Sequence, residues 1–215
     1  MKLSSDFVGP KVIEKKSSKI NGEVVVLKTL GLGTHIQVEG LTQSGSVVYD
    51  IWKTTLKKVS KDKKTVRKCL ILGLGGGSAA KLAKRYWPNS KITGVEIDPV
   101  MIEMGKKHMG LKDLRVEITN TDASGYISQA CKNCESYDLI LIDMYVGYRI
   151  PEKFENIKFI RDIKKLLSTK GLAVFNRLYF DDKRKLARIF EKKLEENFAD
   201  VDCIYPQANI MFICK

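Results

Sequence analysis

The sequence has no long apolar run, and this absence excludes a class of protein. No stretch reaches the roughly 20 apolar residues with which a helix crosses a bilayer. Residues 1–19 also lack the apolar segment of a secretory signal. We therefore expect a cytoplasmic protein that does not enter a membrane.

Cysteines are few and scattered, which argues against a disulfide framework and against a metal centre. The five cysteines are an odd set, whereas disulfide-stabilised domains carry paired cysteines. Cys131 and Cys134 have the spacing of a zinc ligand pair, but a structural zinc needs four ligands. The chain has no second pair of this kind and two histidines in all, so we predict no metal site.

Acidic residues are fewer than lysines and arginines, and the formal net charge is +13. The densest basic run is KKVSKDKKTVRK at residues 57–68. Charge runs usually lie in water, and we interpret this one as a solvated connector. Contact with a nucleic acid or another polyanion is the alternative, but no basic segment interleaved with aromatic residues supports it. The positive charge also disfavours a polycationic substrate.

What the sequence does have is the composition and periodicity of an α/β protein. Hydrophobic residues make up 44% of the 215 residues, which is enough for one full-sized domain. After the basic run, short apolar segments rich in β-branched residues alternate with helical patterns, as in a parallel sheet that helices cover on both faces. The strand candidates are residues 68–73, 91–96, 114–118, 137–143 and 172–177.

Helices between these strands are predicted from apolar spacing and capping residues. They cover residues 79–86, 98–110, 157–167 and 182–197, with Gly171 closing the third and with Leu186, Phe190 and Leu194 pointing inward in the fourth. The tail, ADVDCIYPQANIMFICK, predicts two strands joined by a tight turn. Such a hairpin makes the last strand, near residues 209–214, antiparallel to the rest of the sheet.

The first part of the chain has a different pattern. We predict a small β-rich element at residues 1–60, followed by a Rossmann-like domain at residues 61–215. Strand candidates at residues 23–27 and 34–39 flank a glycine turn, and a further short strand completes a β element over residues 22–50. A short helix before the basic run is expected from the spacing of Ile51, Trp52, Leu56 and Val59.

A glycine-rich loop, LGLGGGS, ends the strand at residues 68–73 and opens a helix. In this context, Gly73 permits a tight turn, Gly75 lets the backbone approach a ligand, and Gly77 permits close helix packing. The Gly-Lys-Ser/Thr of a P-loop is absent. We therefore predict that the loop, which includes Gly76, holds the nucleoside part of a cofactor.

Carboxylates follow the next three strands of the predicted sheet. Glu96 can accept hydrogen bonds from both ribose hydroxyls, Asp122 can accept one from an adenine amino group, and Asp143 faces the reactive end of the bound molecule. Helix capping and turn formation are the alternative roles of Asp122 and Asp143. NAD and S-adenosylmethionine both fit Glu96. Since no strand-end histidine or Tyr-x-x-x-Lys pair is present for hydride chemistry, we favour S-adenosylmethionine.

These motifs resemble the spermidine synthase family, within the class I S-adenosylmethionine-dependent methyltransferase fold and its reversed last strand. LGLGGGS, VEIDP, TDA and DLILID match the family's four nucleoside-site motifs in order. VEGLTQ, which ends at Gln43, takes the place of the family's Leu-Asp-Gly-x-x-Gln element, and VVYDIWKTTL resembles its Tyr-His/Gln-Glu-Met helix start.

The resemblance implies cofactor contacts at Glu96, Ile97, Asp122 and Ala123. It implies that Asp143 is the catalytic carboxylate, which deprotonates an attacking amine, and that the protein is a homodimer. The family's cofactor is decarboxylated S-adenosylmethionine.

Three positions depart from the family. The family's glycine loop has an aspartate that holds the aminopropyl amine, and this chain has Gly76 at that position. The second aspartate of the family's Asp-x-x-Asp-Pro motif binds the diamine, and this chain has Val146 there. The His or Gln that follows the family's tyrosine is replaced by Asp50, although Tyr49 itself is retained. An ammonium group that lacks its anion loses a bond of about 1.5–3 kcal/mol. We therefore expect methyl transfer from S-adenosylmethionine to an unidentified acceptor. Aminopropyl transfer and a non-catalytic, nucleoside- or RNA-associated protein are the alternatives.

Residues on the acceptor side are predicted less directly. Asp50 is the best substitute carboxylate, and Tyr145, Tyr148 and Arg149 follow Asp143 in one loop. Together with Gln43 and Tyr49, they are the candidates for contact with the acceptor. Arg149 favours an acidic or phosphorylated acceptor.

Overall fold

The computed structural model describes residues 9–215 and contains two β-sheets. Of the β-rich element expected at residues 1–60, the first eight residues lie outside the described part. No helix of the described part is long and apolar enough to cross a membrane.

The smaller sheet is an antiparallel meander near the N-terminus, with strands in the order β1-β2-β3-β4. The strands are β1 (Lys11–Ser18), β2 (Gly22–Thr29), β3 (Gly33–Val38) and β4 (Leu41–Ser44). Alternate residues, Val24, Val26, Ile36 and Val38, are buried against methionines of a helix that follows in the sequence. The two expected strands at residues 23–27 and 34–39 are therefore confirmed, whereas β1 was not predicted because its sequence, KVIEKKSS, is mostly polar.

Helix α1 (Ser46–Asp62) differs from the sequence prediction in length. It begins inside the predicted β element at residues 22–50 and takes up half of the predicted connector at residues 57–68. The β prediction for residues 46–50 and the connector prediction for residues 57–62 are therefore wrong. Apolar residues at helical spacing bury one face of α1 on the larger sheet, and its lysines project outward. Lysines have good helix propensity, so the basic run continues the helix.

The larger sheet has seven strands in the order β10-β11-β9-β8-β5-β6-β7. Its strands are β5 (Lys68–Leu72), β6 (Lys91–Glu96), β7 (Val116–Asn120), β8 (Tyr137–Ile142), β9 (Leu167–Leu178), β10 (Val201–Ile204) and β11 (Asn209–Cys214). The five strands from β5 to β9 are parallel, and β11 runs antiparallel to both β9 and β10. The predicted α/β class and the reversed last strand are confirmed.

Helices cover both faces of this sheet. They are α2 (Ser78–Tyr86), α3 (Pro99–His108), α4 (Ala123–Lys132), α5 (Ile157–Lys165) and α6 (Lys183–Glu195). Helices α1 and α2 share one buried cluster with the sheet, and α4, α5 and α6 share the other. Since every parallel strand leads into a helix, the carboxyl ends of β5, β6, β7 and β8 all meet at one edge of the sheet.

Two details of the second half correct the sequence prediction. The helix expected at residues 157–167 ends at Lys165, and Leu167 and Gly171 belong to β9. Gly171 lies in an irregular step of the β8–β9 pairing, where a Cβ atom would lie 2.9 Å from the backbone of Ser168. In α6, Leu186 is 51% exposed, and Ala187 occupies the buried position instead.

The two leucines of α6 offer a matched test of the face it buries. Leu194 is fully buried, while Leu186 is half exposed. We expect Leu194→Ala to lower the free energy of unfolding by about 2–5 kcal/mol and Leu186→Ala by no more than about 0.5 kcal/mol. Urea unfolding of both variants measures the difference, and equal losses would contradict the observed orientation of α6.

Candidate functional site

A cavity of about 380 Å³ opens at the carboxyl edge of the large sheet, under β4 and the start of α1. The strand ends predicted to converge do so here. Of the residues predicted to bind cofactor or acceptor, the cavity is lined by Gln43, Gly73, Gly75, Glu96, Ile97, Asp122, Ala123, Asp143 and Tyr145. This arrangement follows from the parallel strands, whose loops share one edge of the sheet.

The glycine loop has the backbone geometry that requires glycine at two positions. Gly73 has a φ of +81°, and a Cβ atom there would lie 2.1 Å from the carbonyl oxygen of Asp143. Gly77 has a φ of +95°, and its Cβ atom would meet the side chain of Leu111 at 2.8 Å. A side chain at Gly73 would push β5 away from the end of β8, and one at Gly77 would push the start of α2 away from Leu111. Gly75 also has a positive φ, of +53°, but a Cβ atom there would have no atom closer than 3.6 Å, and the residue lines the cavity beside Gly73.

Four of the predicted site residues lie together in a different cleft. Gly76, Gly77, Tyr49 and Asp50 line a second cleft of about 300 Å³ on the other side of the glycine loop. A Cβ atom on Gly76 would point at Ile36 and Ser44, each within 3 Å. The structure therefore does not place Asp50 where it could replace a missing anion of the cavity, and Gly76 faces the N-terminal sheet.

Glu96 is buried at the end of β6 and is bonded to the glycine loop. Its Oε2 accepts a hydrogen bond from the Gly75 N–H at 2.8 Å, and its Oε1 accepts one from the Asp98 N–H at 3.0 Å. Burial raises the pKa of Glu96, and these two N–H groups oppose the rise. Because a carboxylate oxygen can accept two hydrogen bonds, each oxygen retains capacity for a ligand hydroxyl.

Asp122 caps α4, as the alternative interpretation of its sequence position expected. Its Oδ1 accepts a hydrogen bond from the Ser124 N–H at 2.8 Å, and its Oδ2 pairs with Lys153. Partial burial raises the pKa of Asp122, but the bonds from Lys153 and Ser124 outweigh it and hold that pKa below its usual value. Asp122 thus lines the cavity as an anion with one oxygen engaged by a lysine.

Asp143 extends from the end of β8 between two side-chain donors. Trp52 of α1 donates from Nε1 to Oδ2, and Asn176 of β9 donates from Nδ2 to Oδ1, both at 2.8 Å. Burial raises the pKa of Asp143, while the bonds from Trp52 and Asn176 and the charge of Arg177 oppose the rise. Two fixed donors hold the carboxylate in one orientation at the cavity wall.

Sequence reasoning missed several polar residues of the cavity. Trp52 was assigned to the apolar face of a helix, and Asn176 and Asn209 were not assigned at all. Asn209 donates to the Oδ1 of Asn176 at 2.7 Å and continues the network from Asp143. The position of Asn176 near the end of a predicted strand is the one signal that could have indicated it.

Gln43 has an unused polar atom. Its Nε2 is buried and has no hydrogen-bond partner, and the residue lines the cavity. A buried amide without a partner costs about 1–3 kcal/mol. A hydroxyl or carboxylate oxygen of a ligand would satisfy it.

The loop after Asp143 contributes unequally to the cavity. Tyr145 lines the cavity, and its hydroxyl accepts a hydrogen bond from the Leu178 N–H at 2.7 Å. Val146 also lines the cavity, whereas Tyr148 and Arg149 are exposed and lie outside its lining. The structure therefore gives no support to Arg149 as a group that contacts the acceptor.

Comparison with known proteins identifies relatives with two activities. A family model described as the spermine/spermidine synthase domain matches residues 51–210. A polyamine aminopropyltransferase of Vibrio vulnificus is 36% identical over 50% of this chain and 36% of its own length. An eEF1A lysine and N-terminal methyltransferase homolog of Drosophila pseudoobscura pseudoobscura is 30% identical over 69% of this chain and 24% of its own length. The chain thus matches about a quarter to a third of these two relatives.

Solved structures share the fold. Spermidine synthase from Thermotoga maritima superposes with a TM-score of 0.77 and 18% identity, over 94% of this chain and 72% of its own. Human methyltransferase-like protein 13 in complex with SAH superposes with a TM-score of 0.68 and 22% identity, over 77% of this chain and 82% of its own. At these identities the likeness shows the fold alone.

The hydrogen bonds that Glu96 accepts predict that its substitution destabilises the protein. Glu96→Ala leaves the N–H groups of Gly75 and Asp98 without their acceptor, and we expect the free energy of unfolding to fall by about 1–3 kcal/mol. Glu117→Ala is the control, because Glu117 is exposed on β7. Thermal unfolding followed by circular dichroism makes the comparison. Equal stability of the two variants would contradict the role of Glu96 in holding the loop.

Proposed function

The chain belongs to the spermine/spermidine synthase domain family, and within that family we propose that it is a methyltransferase that binds S-adenosylmethionine. Its acceptor is proposed to be an amine nitrogen. Because the chain matches a minor part of its curated relatives, the activity of the whole protein is part of this proposal.

The residues of the cavity fit the nucleoside of this cofactor. Glu96 retains acceptor capacity for ribose hydroxyls, and the backbone of Gly75 borders the same space. The unpartnered Nε2 of Gln43 needs an oxygen acceptor, which a ribose hydroxyl or the carboxylate of S-adenosylmethionine supplies. The N-terminus of α2 lies beside this position and favours a carboxylate through its free N–H groups.

One observation carries the choice of methyl transfer. Among the residues that the structure describes, the carboxylates lining the cavity are Glu96, Asp122 and Asp143. Glu96 and Asp122 belong to the nucleoside end, so Asp143 alone faces the reactive end. Aminopropyl transfer brings a second ammonium group, that of the diamine, to that end, and the ammonium group of its cofactor arm has no neighbouring carboxylate, unlike that of S-adenosylmethionine. Each would lack the anion that the family supplies, since those positions are Gly76 and Val146.

Asp143 has the chemistry for an amine acceptor. S-adenosylmethionine supplies an electrophilic methyl group, and positioning of the acceptor in line with it accounts for most of the rate in such a displacement. The carboxylate of Asp143, held by Trp52 and Asn176, orients the amine and accepts its proton. A relative whose name includes lysine and N-terminal methyltransferase agrees with an amine acceptor.

Aminopropyl transfer from decarboxylated S-adenosylmethionine is the second candidate. It is favoured by the Vibrio relative, which is a polyamine aminopropyltransferase and 36% identical over the matched segment. In this case Asp143 would have to be the anion that interacts with every ammonium group of the reaction.

Calorimetry with three ligands distinguishes the candidates. We expect S-adenosylmethionine and S-adenosylhomocysteine to bind at least about fivefold more tightly than decarboxylated S-adenosylmethionine, a gap of about 1 kcal/mol from the contact of a carboxylate with a helix N-terminus. Glu96→Ala should abolish most of the binding, while Glu117→Ala should leave it unchanged.

An activity assay with putrescine tests the second candidate directly. We expect no spermidine and no methylthioadenosine when the protein is incubated with putrescine and decarboxylated S-adenosylmethionine. Tighter binding of the decarboxylated cofactor, together with diamine-dependent release of methylthioadenosine, would show that the protein is an aminopropyltransferase. Failure to bind any of the three ligands would overturn both candidates.

A further inference from the structure

Arg177 is a buried cation without an ion pair. The residue is 4% exposed, and no carboxylate within residues 9–215 lies within 4.0 Å of its guanidinium. The guanidinium stacks on the ring of Phe190 at 3.7 Å, and its Nε has no hydrogen-bond partner. An unpaired buried charge is costly, and an apolar side chain of similar length would fill the same space at lower cost. The charge itself therefore calls for an explanation.

One of the two hydrogen bonds of Arg177 goes to the residue that orients Asp143, and the other, from Nη2, goes to the carbonyl oxygen of Phe154 at 3.5 Å. Its Nη1 donates at 2.9 Å to the carbonyl oxygen of Asn176, which also accepts a long bond of 3.5 Å from the Tyr145 hydroxyl. The Asn176 side chain is held at Oδ1 by Asn209 and donates from Nδ2 to Asp143. Arg177 thus bonds to the backbone carbonyl of the residue whose side chain orients Asp143.

Some of the ionisable groups around Arg177 line the cavity, and others do not. The ionisable groups around it are Tyr145, Glu155, Asp143 and Cys214, of which the carboxylates Glu155 and Asp143 carry a negative charge at neutral pH. Of these, Asp143 and Tyr145 line the cavity. Burial lowers the pKa of Arg177, and these neighbours oppose the decrease. The charge of Arg177, in turn, counteracts the burial that raises the pKa of Asp143.

We infer that Arg177 is a positioning residue, whose buried charge and whose bond to Asn176 keep the Asp143 carboxylate ionised and directed into the cavity. This inference rests on the proposed function, in which Asp143 faces the sulfonium and the acceptor amine. Arg177 itself touches neither, because it lies behind Asn176 on the side of β9 that packs against α6.

The first test uses the protein without ligand, so that its outcome does not depend on cofactor binding. The carboxyl carbon of Asp143 is followed by carbon-13 NMR across a pH titration and assigned with Asp143→Asn. We expect Arg177→Met to raise the titration midpoint by about one pH unit or more, the size of a nearby opposite charge. Arg177→Lys, which keeps the charge, should shift it less.

Arg177→Gln serves if Arg177→Met does not fold, since glutamine is neutral but retains an N–H donor for Asn176. An unchanged midpoint in the folded neutral variant would overturn the inference. A shift as large in Arg177→Lys as in the neutral variant would also overturn it, because the charge would then not be the cause.

The second test compares two ligands that differ in charge at sulfur. An ionised Asp143 attracts the sulfonium of S-adenosylmethionine and not the neutral thioether of S-adenosylhomocysteine. At a pH midway between the two midpoints that the NMR titration gives, we expect Arg177→Met to weaken the binding of S-adenosylmethionine by about threefold, because the ionised fraction of Asp143 falls by that factor, and the binding of S-adenosylhomocysteine by less than about twofold. Equal weakening of both ligands would indicate a structural role. If the unsubstituted protein binds neither ligand, the proposed function fails, while the NMR titration still decides the role of Arg177.

Discussion

The hydrogen bonds of Asp143 join parts of the chain that are distant in sequence. Trp52 reaches Asp143 across 91 positions of the chain, and Asn176 reaches it across 33. Through these bonds, α1, β8 and β9 meet at the edge of the sheet where the cavity opens. Since a half-buried carboxylate needs hydrogen-bond donors in place of the water that it has lost, the position of α1 over the sheet and the chemistry of the cavity depend on the same contacts.

The relatives of this chain have names with two different transfer reactions, and the proposed function separates them by the groups around the reactive end of the cavity. In the proposed function, the glycine loop and Glu96 bind the nucleoside in the same way whichever group is transferred. The difference lies in the anions around the reactive end, where this chain has Gly76 and Val146 at the positions of two family carboxylates. The structure turns Gly76 toward the N-terminal sheet and Asp50 toward a separate cleft. In the proposed function, one carboxylate, that of Asp143, therefore remains at the reactive end, where Trp52 and Asn176 donate hydrogen bonds to it.

The strand ends could be predicted from the sequence, because the alternation of strands and helices sends each carboxyl end to the same edge. Glu96, Asp122 and Asp143 were found for this reason. The partners of Asp143 could not be found, because they come from other elements and their contacts depend on the strand order. The spacing of apolar and charged residues also gave wrong predictions where the same spacing fits either a buried or an exposed position. Leu186 shares its spacing with Leu194 but is half exposed, and the lysines after Leu56 were interpreted as a connector although they continue α1.

The central claim is that the cavity holds intact S-adenosylmethionine with its sulfur toward Asp143. A crystal structure of the protein with S-adenosylhomocysteine tests this most directly. We predict ribose hydroxyls on Glu96, the amino-acid carboxylate at the N-terminus of α2, and the sulfur on the side of the cavity where Trp52 and Asn176 hold Asp143. Density for the nucleoside away from Glu96, or for an amino-acid arm that points away from α2 and Asp143, would contradict it.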